Sequence, residues 1–402
     1  LETQILNEIT SEITCSKEGV DDMKEKRKTD WLLITAYLLS SIIGLLMIYS
    51  ASSYRLMTTG GLSAALLQRQ LVFLLLSWGM IVFIQRMRVQ VLLSRKLAWT
   101  LLSFGVVMLF LTHFSILGVT VNGAQRWISI FGIQFQPSEI TNVGMILYLA
   151  SYFKEKRALP ELKKPLMLLF LCCLLILLQP KVAGVIILVF LAFIMIATVQ
   201  VPVKMIMLMF GVLVGSLFLF GGTIFFLGQQ GYLPEFFMHV YYRIQLVGNP
   251  FSDPYGQGFQ MVHSYYALYN GGLSGLGLGN SITKKGFLPV AETDFIFSVL
   301  VEELGLFMGI FVIGLLFVII LRLFIRAAAV KDSQSGLILL GTATLLLLQT
   351  SINIASILGL MPMTGVPLPF ISYGGSSYLI LSFALGICLK LERGVSEIVQ
   401  KA

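Results

Sequence analysis

A chain of 402 residues that is 57% hydrophobic and 12% charged, with mean hydropathy +0.88, holds more apolar surface than a soluble domain of this size can bury. The formal charge of +8 comes from short Lys/Arg clusters between apolar runs, a membrane-topology pattern that argues against a nucleic-acid partner. Four cysteines (Cys15, Cys172, Cys173, Cys388) and three histidines lack disulfide or zinc spacing, and no Walker or dinucleotide fingerprint points to nucleotide chemistry.

Residues 1–22 are polar and contain no signal-like apolar run. Lys17-Glu18-Gly19 can be encoded by a purine-rich ribosome-binding sequence a few codons before Met23. Residues 1–22 therefore read either as a non-native extension ahead of a start at Met23 or as a disordered cytoplasmic tail; a native peptide from within them would exclude the first. From there, apolar runs near the ~20 residues that cross a bilayer recur at 31–49, 67–84, 97–117, 140–153, 166–178, 182–199, 205–227, 295–321, 337–360 and 371–391. The fourth and fifth are short, as tilted or internally buried helices can be. The expectation is one all-α polytopic membrane domain, 23–402, of ten transmembrane helices. Of the whole chain's 28 Lys and Arg, 21 fall on the side of the N-terminus and 7 on the other (20 against 7 without Lys17), which puts both termini in the cytoplasm. The extracellular loop between helices 7 and 8, about 228–294, is then the longest polar interval.

A polar loop that long is where chemistry is sought. It holds Arg243, Lys284 and Lys285, and the carboxylates Asp253, Glu292 and Asp294. Asp253, in Asn249-Pro250-Phe251-Ser252-Asp253-Pro254-Tyr255-Gly256, is either a rigidly held general base or a turn residue bonding its own backbone. Lys284 and Lys285 suit a phosphate patch, and Arg243 suits bidentate recognition. On the same side, Arg126 and Trp127 lie in Asn122–Ile128, and Glu139 closes Gln136-Pro137-Ser138-Glu139 in the first turn of a helix. These read as a site or as a capped helix with an interfacial tryptophan. Lys181 follows a Gln-Pro turn and either snorkels or lines a cavity. Ser372 and Ser376, in the run from Pro367 to Ser377, serve either a close helix crossing or a polar lining. Glu302 and Glu303, early in the eighth span, are intramembrane acids and functional by default.

In this order the motifs resemble the SEDS (shape, elongation, division and sporulation) family, FtsW, RodA and SpoVE. The matching stretches include Asn122–Ile128, Gln136–Glu139, Asp253–Gln260, Gly277–Ser281, Thr293–Phe297, Glu302–Gly305 and Pro367–Ser377, spanning nearly all of the chain after Met23. Gly279-Asn280-Ser281 with Lys284 leans toward the Gram-positive division branch, although the elongation branch shares most motifs. The resemblance implies a multi-pass enzyme of the bacterial cytoplasmic membrane, at the division septum, that polymerises lipid II into β-1,4 glycan strands. Its partners would be lipid II and undecaprenyl pyrophosphate, a class B penicillin-binding protein, other divisome proteins and the lipid bilayer. Asp253 would be the catalytic base. Arg126, Arg243 and Lys284 would neutralise the leaving pyrophosphate, with a divalent cation (Mg or Mn) as a candidate helper and no other cofactor. Trp127, Glu139, Lys181, Ser372 and Ser376 would complete the substrate site. A lipid II flippase and a scaffold for the penicillin-binding protein are the alternatives. The chain departs from the family pattern at Asn142 (usually lysine), Lys181 (usually aspartate) and Val290 (usually glutamate). We expect Lys181 to pair with Glu139 in place of the lysine missing at 142.

Overall fold

The computed structural model describes residues 30–399 apart from 115–117, 122–123, 131–132, 155–161, 180, 200 and 248. The expectations about residues 1–22 and Met23, and Asn122, Gly123 and Pro180 of the motifs, lie outside the described residues. The chain opens with α1 (Trp31–Thr58), capped by the Asp30 carboxylate, which accepts the Leu33 N–H at 3.2 Å. Then come α2 (Ala65–Arg86), the single turn α3 (Val89–Leu92) and α4 (Arg95–Phe114). A small antiparallel sheet follows, in the order β1 (Gly118–Val121), β2 (Ala124–Ile130), β3 (Ile133–Phe135). It pairs Val119 with Trp127 and Ile128 with Phe135. Next are α5 (Pro137–Tyr152), α6 (Lys163–Leu177), α7 (Val182–Ala197) and α8 (Val203–Gln229). The long polar interval holds α9 (Glu235–Gln245), a 3-10 turn at Pro250–Ser252 and α10 (Phe259–Gly271). The chain ends with α11 (Ile296–Ala329), α12 (Ser333–Ile357) and α13 (Gly375–Val399).

Each of the ten expected spans coincides with a helix. Seven (α1, α2, α4, α8, α11, α12 and α13) are long and apolar enough to cross a membrane, while α5, α6 and α7 have 16, 15 and 16 residues. The core gathers on α5, α12 and α13. By contrast α8 is apolar all round yet hardly buried, as a helix facing lipid can be.

The helix α11 has 34 residues in two parts joined at Gly305, and the longer part, 306–329, runs about 36 Å at 1.5 Å per residue, beyond the ~30 Å of a bilayer core. Its far end runs past residue 321, where the apolar run stops, because Arg322 and Arg326 reach Asp30 at 2.6 and 3.3 Å and Arg326 reaches Glu392 at 2.7 Å. One ion cluster thus joins α1, α11 and α13. Near its start, α11 breaks at Gly305, whose φ of 83° is left-handed. The backbone from the end of α10 fills the gap. Leu276 and Gly277 N–H donate to the carbonyls of Glu302 and Glu303 at 2.9 Å, and Leu306 N–H donates to the Gly272 carbonyl at 3.0 Å. A side chain at 305 would overlap the Leu273 carbonyl, so this weld requires glycine.

Candidate functional site

Five charged side chains meet where β2, the α6–α7 turn, the start of α5, α9 and the lead-in to α11 converge. The turn between α6 and α7 organises the first part. Its Gln179 carbonyl accepts the Arg126 Nε–H from β2 at 3.1 Å, and its Lys181 is 4% exposed. Lys181 Nζ donates to Ser138 Oγ at 2.8 Å and lies 3.8 Å from Glu139 Oε1, so the expected Lys181–Glu139 pair is present. Glu139 also accepts from Gln349 Nε2 of α12 at 2.9 Å.

The second part is built on Asp294, which local sequence reading did not single out as a site residue. A methyl added at Gly365 would come within 3.5 Å of Asp294 Oδ2 and 3.9 Å of Arg126 Nη1, so both groups border that glycine. Arg243, on α9, donates from Nη1 to the Met363 carbonyl at 2.9 Å. Asn353 of α12 clamps the surrounding backbone by donating to the carbonyls of Asp294 and Val366 at 3.0 and 2.8 Å.

Burial and mutual charge set the electrostatics. Burial pushes Lys181 down to about 8, opposed by Glu139 and Asp294 and reinforced by Arg126. It pushes Arg126 down to about 10, helped by Arg243 and opposed by Asp294, which leaves the guanidinium charged at neutral pH. Arg243 is lowered by burial and supported by Asp294. Burial raises Asp294, and the three cations hold that rise back. Three cations therefore face two acids. Among the described residues, the buried amide oxygens of Asn142 on α5, Gln179 in the α6–α7 turn, and Gln349 and Asn353 on α12 have no hydrogen-bond partner.

Asp253 stands apart from this cluster in character. It is exposed, and its two oxygens accept the N–H groups of Gly256 at 3.0 Å and Gln257 at 2.8 Å. The turn reading is thus correct as local geometry, and it also fixes the carboxylate while leaving each oxygen a lone pair. A Cβ at 256 would lie 2.4 Å from Asp253 Oδ2, so glycine there lets the carboxylate sit against the turn. The turn connects to the cluster through packing. Phe251 lies against Tyr265, whose hydroxyl occupies the space beside Gly359, four residues before Met363.

Several expected site residues are engaged elsewhere. Lys284 is not a surface cation: it is 5% exposed, donates to Glu303 at 2.6 Å and to Ser50 at 2.9 Å, and serves a buried clasp. Glu302 completes that clasp by accepting from the hydroxyls of Ser281 and Thr283 at 2.5 Å, so both intramembrane acids hold down the polar segment. Only Lys285 of the lysine pair is exposed. Ser372 Oγ donates to the Thr293 carbonyl at 2.7 Å and accepts from Leu368 N–H at 2.9 Å, and Ser376 Oγ accepts from Gln136 N–H at 3.3 Å. Both hydroxyls join backbone segments rather than line an open cavity. Trp127 is half-buried in β2. Val290 and Phe370, with φ of 55° and 62°, are non-glycine residues in the left-handed region, and they sit in the two segments that Ser372 joins. Among the described residues no three His, Cys, Asp or Glu side chains are grouped to hold a metal. These residues do not form a protein-only site for the expected divalent cation.

With this geometry in place, comparison with known proteins is decisive. The family model for the cell cycle proteins FtsW, RodA and SpoVE matches residues 30–397. The chain belongs to this family. A protein of Enterococcus hirae named "Probable peptidoglycan glycosyltransferase FtsW" is 50% identical over 377 residues, covering 93% of this chain and 95% of that one. One of the same name from Lactococcus lactis subsp. lactis is 35% identical over 406 residues, covering 92% and 94%. Among solved structures, a chain of a peptidoglycan synthase complex that coordinates polymerization and crosslinking superposes with TM-score 0.71 at 27% identity, covering 91% of this chain and 98% of that one.

Proposed function

We propose that the protein is a peptidoglycan glycosyltransferase that joins lipid II units into β-1,4 glycan strands on the outer face of the cytoplasmic membrane, at the division septum, beside a class B penicillin-binding protein and the divisome. Both termini are then cytoplasmic, and the interval of about 228–294 lies outside. The observation that carries this reading is the surplus cation in the buried cluster. Among the described residues, three cations against two acids leave a net positive charge at a site where Lys181 and Glu139 are buried and Arg126, Arg243 and Asp294 partly so, and a leaving pyrophosphate gains from it.

In the reaction the 4-hydroxyl oxygen of the acceptor sugar attacks the anomeric carbon of the growing strand. Its proton passes to the Asp253 carboxylate, and the bond from that carbon to the phosphate oxygen breaks. The configuration inverts, and undecaprenyl pyrophosphate leaves against Arg126, Lys181 and Arg243. The unpartnered amide oxygens of Asn142, Gln179, Gln349 and Asn353 offer acceptors to sugar hydroxyls and amides. No ATP is needed, because the donor carries its own pyrophosphate.

The test is lipid II polymerisation by the chain reconstituted with its class B partner, wild type against Asp253→Ala. General-base assistance of ~10²–10⁴-fold predicts strands from the first and none detectable from the second. Strands from both would remove Asp253 from the chemistry. Strands from neither, with the complex intact, would refute the activity.

A further inference from the structure

The outer-side cations do not all belong to the buried cluster. Arg55 lies in the last turn of α1 and Arg69 in the first turns of α2, and they meet the rest of the chain at Glu292 and Tyr373 rather than at Asp294. Arg55 forms an ion pair with Glu292, which is 2% exposed, while the Arg55 side chain keeps 44% exposure. Arg69 is exposed and lies beside the Tyr373 phenol. Tyr373 N–H donates to the Glu292 carbonyl at 2.8 Å, so phenol, acid and both guanidiniums share one backbone platform. Two residues along, Asp294 faces Arg126, Arg243 and Lys181. Glu292 thus engages one group of cations and Asp294 another. Below Arg69, Val72 and Leu76 follow on the same face of α2 and are 53% and 55% exposed. A cationic head above a lipid-facing apolar stripe is the shape of a site for a diphosphate on a long polyprenyl chain.

We propose that Arg55, Arg69 and Tyr373 form a second lipid-diphosphate subsite, and that it holds the acceptor substrate. This rests on the glycosyltransferase reading, since a polymerase of lipid-linked sugars must hold two lipid diphosphates at once. The division of roles follows from charge. The donor's pyrophosphate gains negative charge as its bond breaks and needs the buried surplus of cations. The acceptor's diphosphate does not change charge, so half-exposed arginines partly neutralised by Glu292 suffice to position it. Arg69 is then a positioning residue, and bidentate contact makes arginine better than lysine there.

Two measurements on the chain in phosphatidylcholine nanodiscs test this. Undecaprenyl pyrophosphate binding should give two equivalents per wild-type chain and one for Arg69→Gln, with Arg69→Lys intermediate in affinity. With the class B partner present, Arg69→Gln should raise the KM for lipid II about tenfold and leave kcat within about twofold. One equivalent on the wild type, or an unchanged stoichiometry and KM in Arg69→Gln, overturns the proposal. So does equal loss of phosphatidylglycerol retention, which marks a general anionic-lipid contact. If the wild type binds two equivalents but makes no strands, the subsite stands and the glycosyltransferase reading fails.

Discussion

Two charge clusters in this molecule are built in opposite ways. In the clasp, Lys284, Glu302 and Glu303 are saturated. Glu302 takes two hydroxyls, and Glu303 takes Lys284 and Ser50. In the central cluster, three cations exceed two acids, and the buried amide oxygens of Asn142, Gln179, Gln349 and Asn353 have no partner among the described residues. The first arrangement spends its charge on holding the segment 271–284 against the break in α11. The second keeps one cation more than its acids among the described residues. Burial alone does not mark a functional charge; its balance with the charges around it separates the two clusters.

Four changes break or sharpen this contrast. Lys181→Asp turns the central cluster from net positive to net negative, and polymerisation should fall at least ~10²-fold. Asn142→Lys, one turn from Glu139, should restore most of it, and a neutral Lys181→Asp would show that the pair does nothing. In the clasp, Lys284→Met strands Glu303 in the interior and should destabilise the fold by about 3–5 kcal/mol in a denaturation titration. Adding Glu303→Gln should recover most of that loss. Gly256→Ala displaces the Asp253 carboxylate without touching either cluster and should lower kcat about tenfold with KM near wild type. Smallest is the pH effect. Lys181, held down to about 8, loses its proton as pH rises through that value, so kcat/KM should be level below pH 8 and decline above it. Lys181→Arg, which stays charged, should flatten the decline.

Much of the fold was legible because apolar runs of membrane length leave few alternatives; all ten coincide with helices. The misses have local causes. The three short strands lie between the third and fourth expected spans, β2 partly within the motif Asn122–Ile128, and even the seven residues of β2 are too few to declare an alternation. The end of α11 was cut at the first arginine, since its continuation depends on Asp30 and Glu392, distant in sequence. For the site, Arg126, Lys181 and Arg243 stood out as rare cations on a sparsely charged side, and the pairing of Lys181 with Glu139 was foreseen. Asp294 was seen only as a loop carboxylate, because the groups that make it important come from β2, α9 and the α6–α7 turn. Lys284 looked like a phosphate ligand for the complementary reason: its partner Glu303 lies across the break in α11, which nothing near Lys284 announces.

The central claim is that the buried cluster holds charge for substrate while the clasp holds charge for the fold. The direct measurement compares Arg126→Gln with Lys284→Met, each scored for lipid II turnover and thermal midpoint in the same detergent. Arg126→Gln should leave the midpoint within a few degrees of wild type and slow turnover about 10²-fold or more. Lys284→Met should lower the midpoint clearly and, at temperatures where it remains folded, turn over within about tenfold of wild type. The reverse pattern, an unstable Arg126→Gln with normal turnover or a stable but inactive Lys284→Met, would contradict the account.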